Sequence, residues 1–296
     1  MDIEKTLTLI KDFNFFANKK AEERIVSNVG ATDTMADIQK FTREIEPEWI
    51  EEHKDLIAEA EALPDEDFFE IAEYAMLNNS GVMPLFVEEG LKKRGAGAED
   101  FIRERLNNDI IFVDVNSSEL SREELYDTDM VLAAIYLAGK MKSEAMYELL
   151  SERFRSCAES NEVFLEKIVA AMSEPEAEKF VLELLNDDGL PDSKRAYAMQ
   201  MAVNSGLRND EIYGAMKKCF KKLAEKENSD IIGAMLMCDY GDGRIVPAMR
   251  RLAMSKISQV NPEEKSDNTQ IYILLSMINK LGGNTSDMTG GKNLFK

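Results

Sequence analysis

Apolar residues recur three and four positions apart along most of this chain, the spacing that gathers them on one side of an α-helix. Ile3, Leu7 and Ile10, continued by Phe13 or Phe15, predict a first helix over 2–16. Asp33 is placed to cap a second that runs through Met35, Ile38 and Phe41. Pro47 suits the first turn of a third, carried by Trp49, Ile50 and Ile57 to Leu63, and Pro64-Asp65-Glu66-Asp67 opens a fourth with acids where the helix dipole favours them. Gly95-Ala96-Gly97-Ala98 reads as a break before a short helix ending near Leu106. The one β-like run, Ile110 to Val115, has no strand to pair with, so it reads as a buried extended linker or a helix end.

From Ser121 the pattern becomes regular. Met130 to Ala138 is apolar nearly all round and is followed by a turn at Gly139 and an amphipathic helix to Phe154. Residues 163–172 pair with 177–185, residues 196–203 turn at Ser205-Gly206 and pair with 212–223, and residues 231–238 turn at 240–243 and pair with 246–257. Ile271 to Leu281 is left as a closing half-pair. A short motif marks the second helices. Its alanines, Ala145, Ala177, Ala215 and Ala248, lie 32, 38 and 33 residues apart, a period typical of stacked helical hairpins.

One turn carries a resemblance. Tyr240-Gly241-Asp242-Gly243-Arg244-Ile245-Val246-Pro247-Ala248-Met249 resembles the inter-helix turn and second helix of HEAT-like repeats of the kind also found in phycobilin lyases. Gly241 suits a left-handed cap after the first helix and Asp242 a cap on the second. The other repeats keep the period and the hydrophobic pattern but not this turn. The resemblance implies an all-α fold, a right-handed α-α superhelix in the form of a HEAT-like solenoid of stacked helical hairpins, behind a non-repetitive N-terminal helical segment. The corresponding divisions are an N-terminal helical cap at 1–64, acidic in its second half, and a first degenerate repeat with an irregular connection at 65–118. The repeat array follows at 119–283, and a disordered tail at 284–296.

Charge narrows the partners. The formal net charge is −20, which argues against general nucleic-acid binding, since phosphate neutralisation needs clustered Lys and Arg. Fifteen acids against three bases fall between Ala31 and Glu73, a solvated face or a docking surface for a basic partner. The three cysteines, Cys157, Cys219 and Cys238, are widely spaced and form neither a zinc motif nor a disulfide framework. Met1 to Lys5 lacks a signal-peptide pattern and no apolar run reaches the length of a membrane span, so a reduced, cytoplasmic protein without membrane partners is expected.

Candidate chemistry is sparse. The single histidine, His53, has Ile50 and Trp49 at the positions where a second metal ligand would stand, and reads as a surface or packing residue. Glu70 and Glu73, three apart, share a helical face and could hold a cation or act as an acid/base pair, although a solvated acidic face is the simpler reading. Asp239 and Asp242 lack the spacing and the downstream Glu of an EF-hand. No phosphate-binding glycine loop occurs. Most of the seventeen methionines fall at apolar helical positions and read as core.

One constellation stands out. Lys217-Lys218 and Arg250-Arg251 occupy equivalent positions in successive second helices, with Lys221 and Lys222 one turn onward. Second helices line the inner face of HEAT-like arrays, so these bases would form a stripe. The leading expectation is a non-enzymatic protein-binding scaffold or adaptor with no cofactor and no metal. Its partner would be another protein, with an acidic or phosphate-bearing ligand as the variant. The competing reading is an enzyme or a metal- or small-molecule-binding protein with a carboxylate site near the N-terminal segment. A HEAT-like nucleic-acid-binding protein is third.

Overall fold

The computed structural model describes residues 3–27, 35–78, 83–112, 120–226, 229–260 and 268–288. Among these it holds fourteen α-helices, a few short 3₁₀ turns and no strand. The chain divides into two compact units, Met1–Leu150 and Ser151–Lys296.

The first unit contains α1 (Ile3–Ser27), α2 (Met35–Glu61), α3 (Asp65–Asn78), α4 (Leu85–Arg94), α5 (Ala96–Leu106) and α6 (Arg122–Met141), and α7 (Glu144–Ser156) begins in it. α6 is central: α3, α4 and α5 all pack on it, while α1 lies on α2 and α3, and α2 on α4. The aromatic centre is Trp49 of α2, set edge-on to Phe13 of α1 at 5.0 Å and stacked on Phe86 of α4 at 6.3 Å. Burying such a ring is what fixes these three helices, since replacing a core Trp by Ala typically costs about 3–5 kcal/mol.

Three local expectations change here and a fourth is narrowed. Pro47 does not open a helix but sits inside α2, which runs unbroken for 27 residues. A proline in a helix interior forfeits one hydrogen bond and crowds the carbonyl four residues back. Thr42 and Glu46 before it and Trp49 after it are all buried, and those anchors hold the helix through. Gly139 likewise lies within α6, and the chain turns instead at Lys142, whose φ of 51° is left-handed. The break at 95–98 shrinks to Gly95 alone, with φ 51° and ψ −119°, and α5 starts at the next residue. Finally, Asp109–Phe112 is a 3₁₀ turn with Ile110 buried, which follows the helix-end reading of this run and not the extended-linker one. Residues 113–115 of that run and the Asp33 cap lie outside the described residues.

The second unit contains the end of α7, then α8 (Glu162–Met172), α9 (Glu178–Asn186), α10 (Asp192–Asn204), α11 (Asp210–Leu223), α12 (Ser229–Tyr240), α13 (Val246–Gln259) and α14 (Thr269–Lys280). α8 packs on α10, α10 on α12 and α12 on α14, while α9 packs on α11. Of the pairs read from the sequence, α10 packs on α11, whereas α8 with α9 and α12 with α13 are not principal contacts; α9 lies also on α10, α11 on α12 and α13 on α14. Each contributes a buried apolar stripe, such as Ile212, Met216, Cys219 and Phe220 on α11. Beyond α14 the chain stays packed as far as Met288, which is buried although its surroundings are polar; residues 289–296 of the expected tail lie outside the described residues.

Two buried cations secure helix ends in this unit. Lys194, at the start of α10, donates to the carbonyl oxygens of Arg155, at 2.7 Å, and Cys157 at the C-terminal end of α7. Arg195 donates to the carbonyls of Leu190, at 2.6 Å, and Asp187 just past α9. Helix C-termini leave carbonyls without intrahelical partners, and here α10 supplies the donors for both α7 and α9.

Candidate functional site

The basic residues singled out in the sequence lie on α11 and α13, and packing decides what each can do. On α11, Asn209 accepts from the Ile212 amide at 2.9 Å and starts the helix, and the buried stripe turns Lys217, Lys218, Lys221 and Lys222 toward the surface. Lys218 and Lys222 then converge on one carboxylate, Asp188, at 2.8 and 2.6 Å. These two ammonium groups hold the Asp188 carboxyl down at about 2. Lys217 lies 5.7 Å from the centre of the Tyr213 ring. Lys221 is exposed and makes no ion pair with a described residue.

On α13, Ala248, Met249, Ala253 and Ile257 are buried. Arg250 reaches Asp287, 2.7 Å from its nearer carboxylate oxygen, and also donates to the Asn284 carbonyl. Arg251 is exposed and has no ion-pair partner among the described residues. The six bases therefore differ: Lys218, Lys222 and Arg250 are held by acids of the same chain, and Lys221 and Arg251 are exposed without an ion pair among the described residues.

The turn before α13 is built around Gly241 and Asp242. Gly241 has φ 81°, and its amide donates to the Met237 carbonyl at 3.3 Å. Asp242 accepts from the Arg244 amide at 2.9 Å, so it starts the 3₁₀ turn Gly243–Ile245 and not α13 itself. Arg244 also pairs with Asp210 at 2.7 Å and lies 4.0 Å over the Tyr213 ring, tying this turn to the start of α11.

The acidic candidates are not brought together. Glu70 is exposed, whereas Glu73 accepts from the Arg105 guanidinium at 2.6 Å. Glu73 and Arg105 border a polar cleft of about 350 Å³ with Glu104, Asn107, Asn108, Tyr126 and Asp127. Among the described residues no group of three or more metal-ligating side chains converges. His53 bonds through Nδ1 to the Trp49 carbonyl at 2.8 Å and stacks on the Trp49 ring. The three cysteines are buried and form no disulfide, and burial pushes the Cys157 thiol up to about 11, which disfavours the reactive thiolate. No helix of the described residues is long and apolar enough to cross a membrane.

A further polar group escaped the sequence reading. Arg43 donates to Glu46 at 2.7 Å and to Glu88, and Tyr136 donates to Glu88 at 2.7 Å. Glu46 also accepts from the Leu85 amide at the start of α4. Two buried carboxylates therefore share one guanidinium at the meeting of α2, α4 and α6. Burial pushes the Glu46 carboxyl up, against the two N–H donors that favour its charged form, and burial also raises the Tyr136 phenol. A signal for Glu46 did exist: it stands at helical spacing with Thr42 and Trp49 on the buried side of α2. The other members of the group, Glu88 and Tyr136, stand 42 and 90 residues onward and carried none.

No protein-family model matches the chain, and neither a curated protein nor a solved structure is significantly similar to it.

Proposed function

We propose that the protein is a non-enzymatic scaffold that binds another protein through the exposed side of its second helices, the hairpins stacking as a HEAT-like, right-handed α-α superhelix. The repeat reading is supported by the register of polar contacts between neighbouring hairpins. Asn209 to Glu178 spans 31 residues, and Cys219 to the Leu185 carbonyl, Lys222 to Asp188 and Arg244 to Asp210 each span 34. Contacts recurring at one repeat length are what equivalent positions of stacked units produce.

The observation that carries the binding role is the division of the basic residues. Lys218 and Lys222 tie α11 to the turn after α9 and Arg250 ties α13 to the stretch beyond α14, whereas Lys221 and Arg251 make no such pair among the described residues and remain available. Surface cations of this kind add little to folding, about 0–1 kcal/mol even when paired. Their replacement therefore separates binding from stability. Affinity capture with the wild type and with a Lys221→Glu, Arg251→Glu double variant tests the reading. The variant is expected to keep the thermal midpoint and lose partner proteins. If it retains every protein that the wild type captures, the scaffold role of this face is wrong.

A further inference from the structure

Six residues of α13, Pro247, Arg250, Arg251, Met254, Ser255 and Ser258, line an open groove of about 680 Å³. Pro247, Arg251, Met254 and Ser258 follow one another at helical spacing, so a single side of the helix forms the floor. Met254 is 47% exposed and lines it together with Arg251, three residues earlier on the helix. A cation next to an uncovered, adaptable apolar side chain suits a ligand that offers the reverse pair, a carboxylate beside an apolar group.

The chain itself supplies an example of that chemistry on the same helix. Asp287 places its carboxylate on Arg250, the Asn284 carbonyl accepts from the same guanidinium, and the next residue, Met288, is 3% exposed. A short turn carrying an acid and an apolar residue thus sets its carboxylate on one arginine of α13. Arg251, the adjacent residue, retains the same capacity with its acid missing.

Charge distribution selects the kind of occupant. Residues 1–150 hold 16 Lys and Arg against 34 Asp and Glu, whereas residues 151–296 hold 20 against 22. An acidic segment is repelled far less by the second unit than by the first. A second copy of the chain would bring a further −20, which opposes self-association through this face. A nucleic-acid backbone would need a run of uncompensated cations that α13 does not have.

We propose that the α13 groove is the docking site for a short acidic–apolar segment of another protein, which sets a carboxylate on Arg251 and an apolar side chain on Met254. The proposal rests on the scaffold reading above and specifies where and what that scaffold binds.

The probe is a fluorescently labelled dodecapeptide of four Glu-Asp-Met repeats, followed by anisotropy against the full chain. Its controls replace the acids by their amides or the methionines by serine. The acidic–apolar peptide is expected to bind and both controls to bind more weakly. Arg251→Glu should weaken binding by about tenfold or more, and Met254→Ser by several-fold, while Ile232→Ser on α12 leaves it unchanged. Circular dichroism melts of each variant separate lost binding from lost folding, and Arg251→Ala provides a milder form of the same change. Failure of the peptide to bind, indifference to Arg251→Glu, displacement by millimolar inorganic phosphate, or concentration-dependent self-association erased by Arg251→Glu would each overturn the proposal. If captured partner proteins survive both α13 variants but are lost on Lys221→Glu, the groove assignment falls and the scaffold reading stands. If no protein partner depends on either helix, both fall.

Discussion

Arg43 and Glu46 face each other one turn apart on α2, guanidinium to carboxylate at 2.7 Å, with the glutamate side chain wholly buried. The pair is part of a buried group with more acid than base, because Glu88 shares the same guanidinium. Removing one partner of a buried ion pair strands the other, whereas neutralising a carboxylate in place need not be harmful. Glu46→Ala should therefore destabilise the protein by about 2–4 kcal/mol, and Glu46→Gln by much less, since the amide oxygen still accepts a hydrogen bond. Urea denaturation midpoints would compare them, and equal losses would show that charge, not acceptor geometry, is what holds α2 to α4.

The same residue carries a pH dependence. Burial raises the folded-state pKa of Glu46 above its ordinary 4.5, so the folded chain binds this proton more tightly than the unfolded chain. Its contribution to stability is complete below the unfolded value and is lost as pH rises through the folded one. The stability of Glu46→Gln relative to the wild type should thus improve from about pH 4 toward pH 8, measured at matched pH so that the other carboxylates cancel. A difference independent of pH would mean that Glu46 keeps an ordinary titration.

Asp188 should behave in the opposite sense. Lys218 and Lys222 lower its folded-state pKa from 3.8 to about 2, so its contribution is present above the unfolded value and is lost as pH falls through the folded one. An NMR titration of its carboxyl carbon should give a midpoint near 2, returning toward the ordinary range in a Lys218→Ala, Lys222→Ala double variant. A midpoint near the ordinary value in the wild type would remove this rung between the hairpins.

Gly241 is held at φ 81°, a conformation that costs little for glycine and much for a β-branched residue. Gly241→Val should lower stability by about 1–2 kcal/mol. Lys142 meets the same demand at φ 51° without being glycine, so Lys142→Gly is expected to be neutral to stabilising by up to about 1 kcal/mol. Thermal midpoints moving the other way at either site would contradict the left-handed geometry.

Lys194 offers a test of the buried helix-end contacts. Lys194→Met retains the packing of the long stem but leaves the Arg155 and Cys157 carbonyls without their donor, a loss of about 1–3 kcal/mol. Amide hydrogen exchange should quicken at the end of α7. Unchanged exchange and stability would mean that water replaces the ammonium at no cost.

The helices of the second unit were legible in the sequence because each is specified by its own 3.6-residue apolar stripe and closed by local signals. Gly241 after α12 and Pro247 in the first turn of α13 act within a few residues of where they stand. Pro47 and Gly139 misled for the complementary reason. A local breaker was overridden by buried neighbours, Trp49 and Glu46 around the proline and the packed α6 around the glycine, and those neighbours are set by distant parts of the chain. The same limit applied to the candidate site. The sequence determined that Lys217, Lys218, Lys221, Lys222, Arg250 and Arg251 fall on the polar sides of two helices. Only the tertiary structure decided that Asp188 and Asp287 take up Lys218, Lys222 and Arg250 and leave Lys221 and Arg251 open. An ion pair depends on a few ångströms between side chains some thirty residues apart, and helical periodicity fixes the side of a helix on which a charge lies without fixing what stands opposite it.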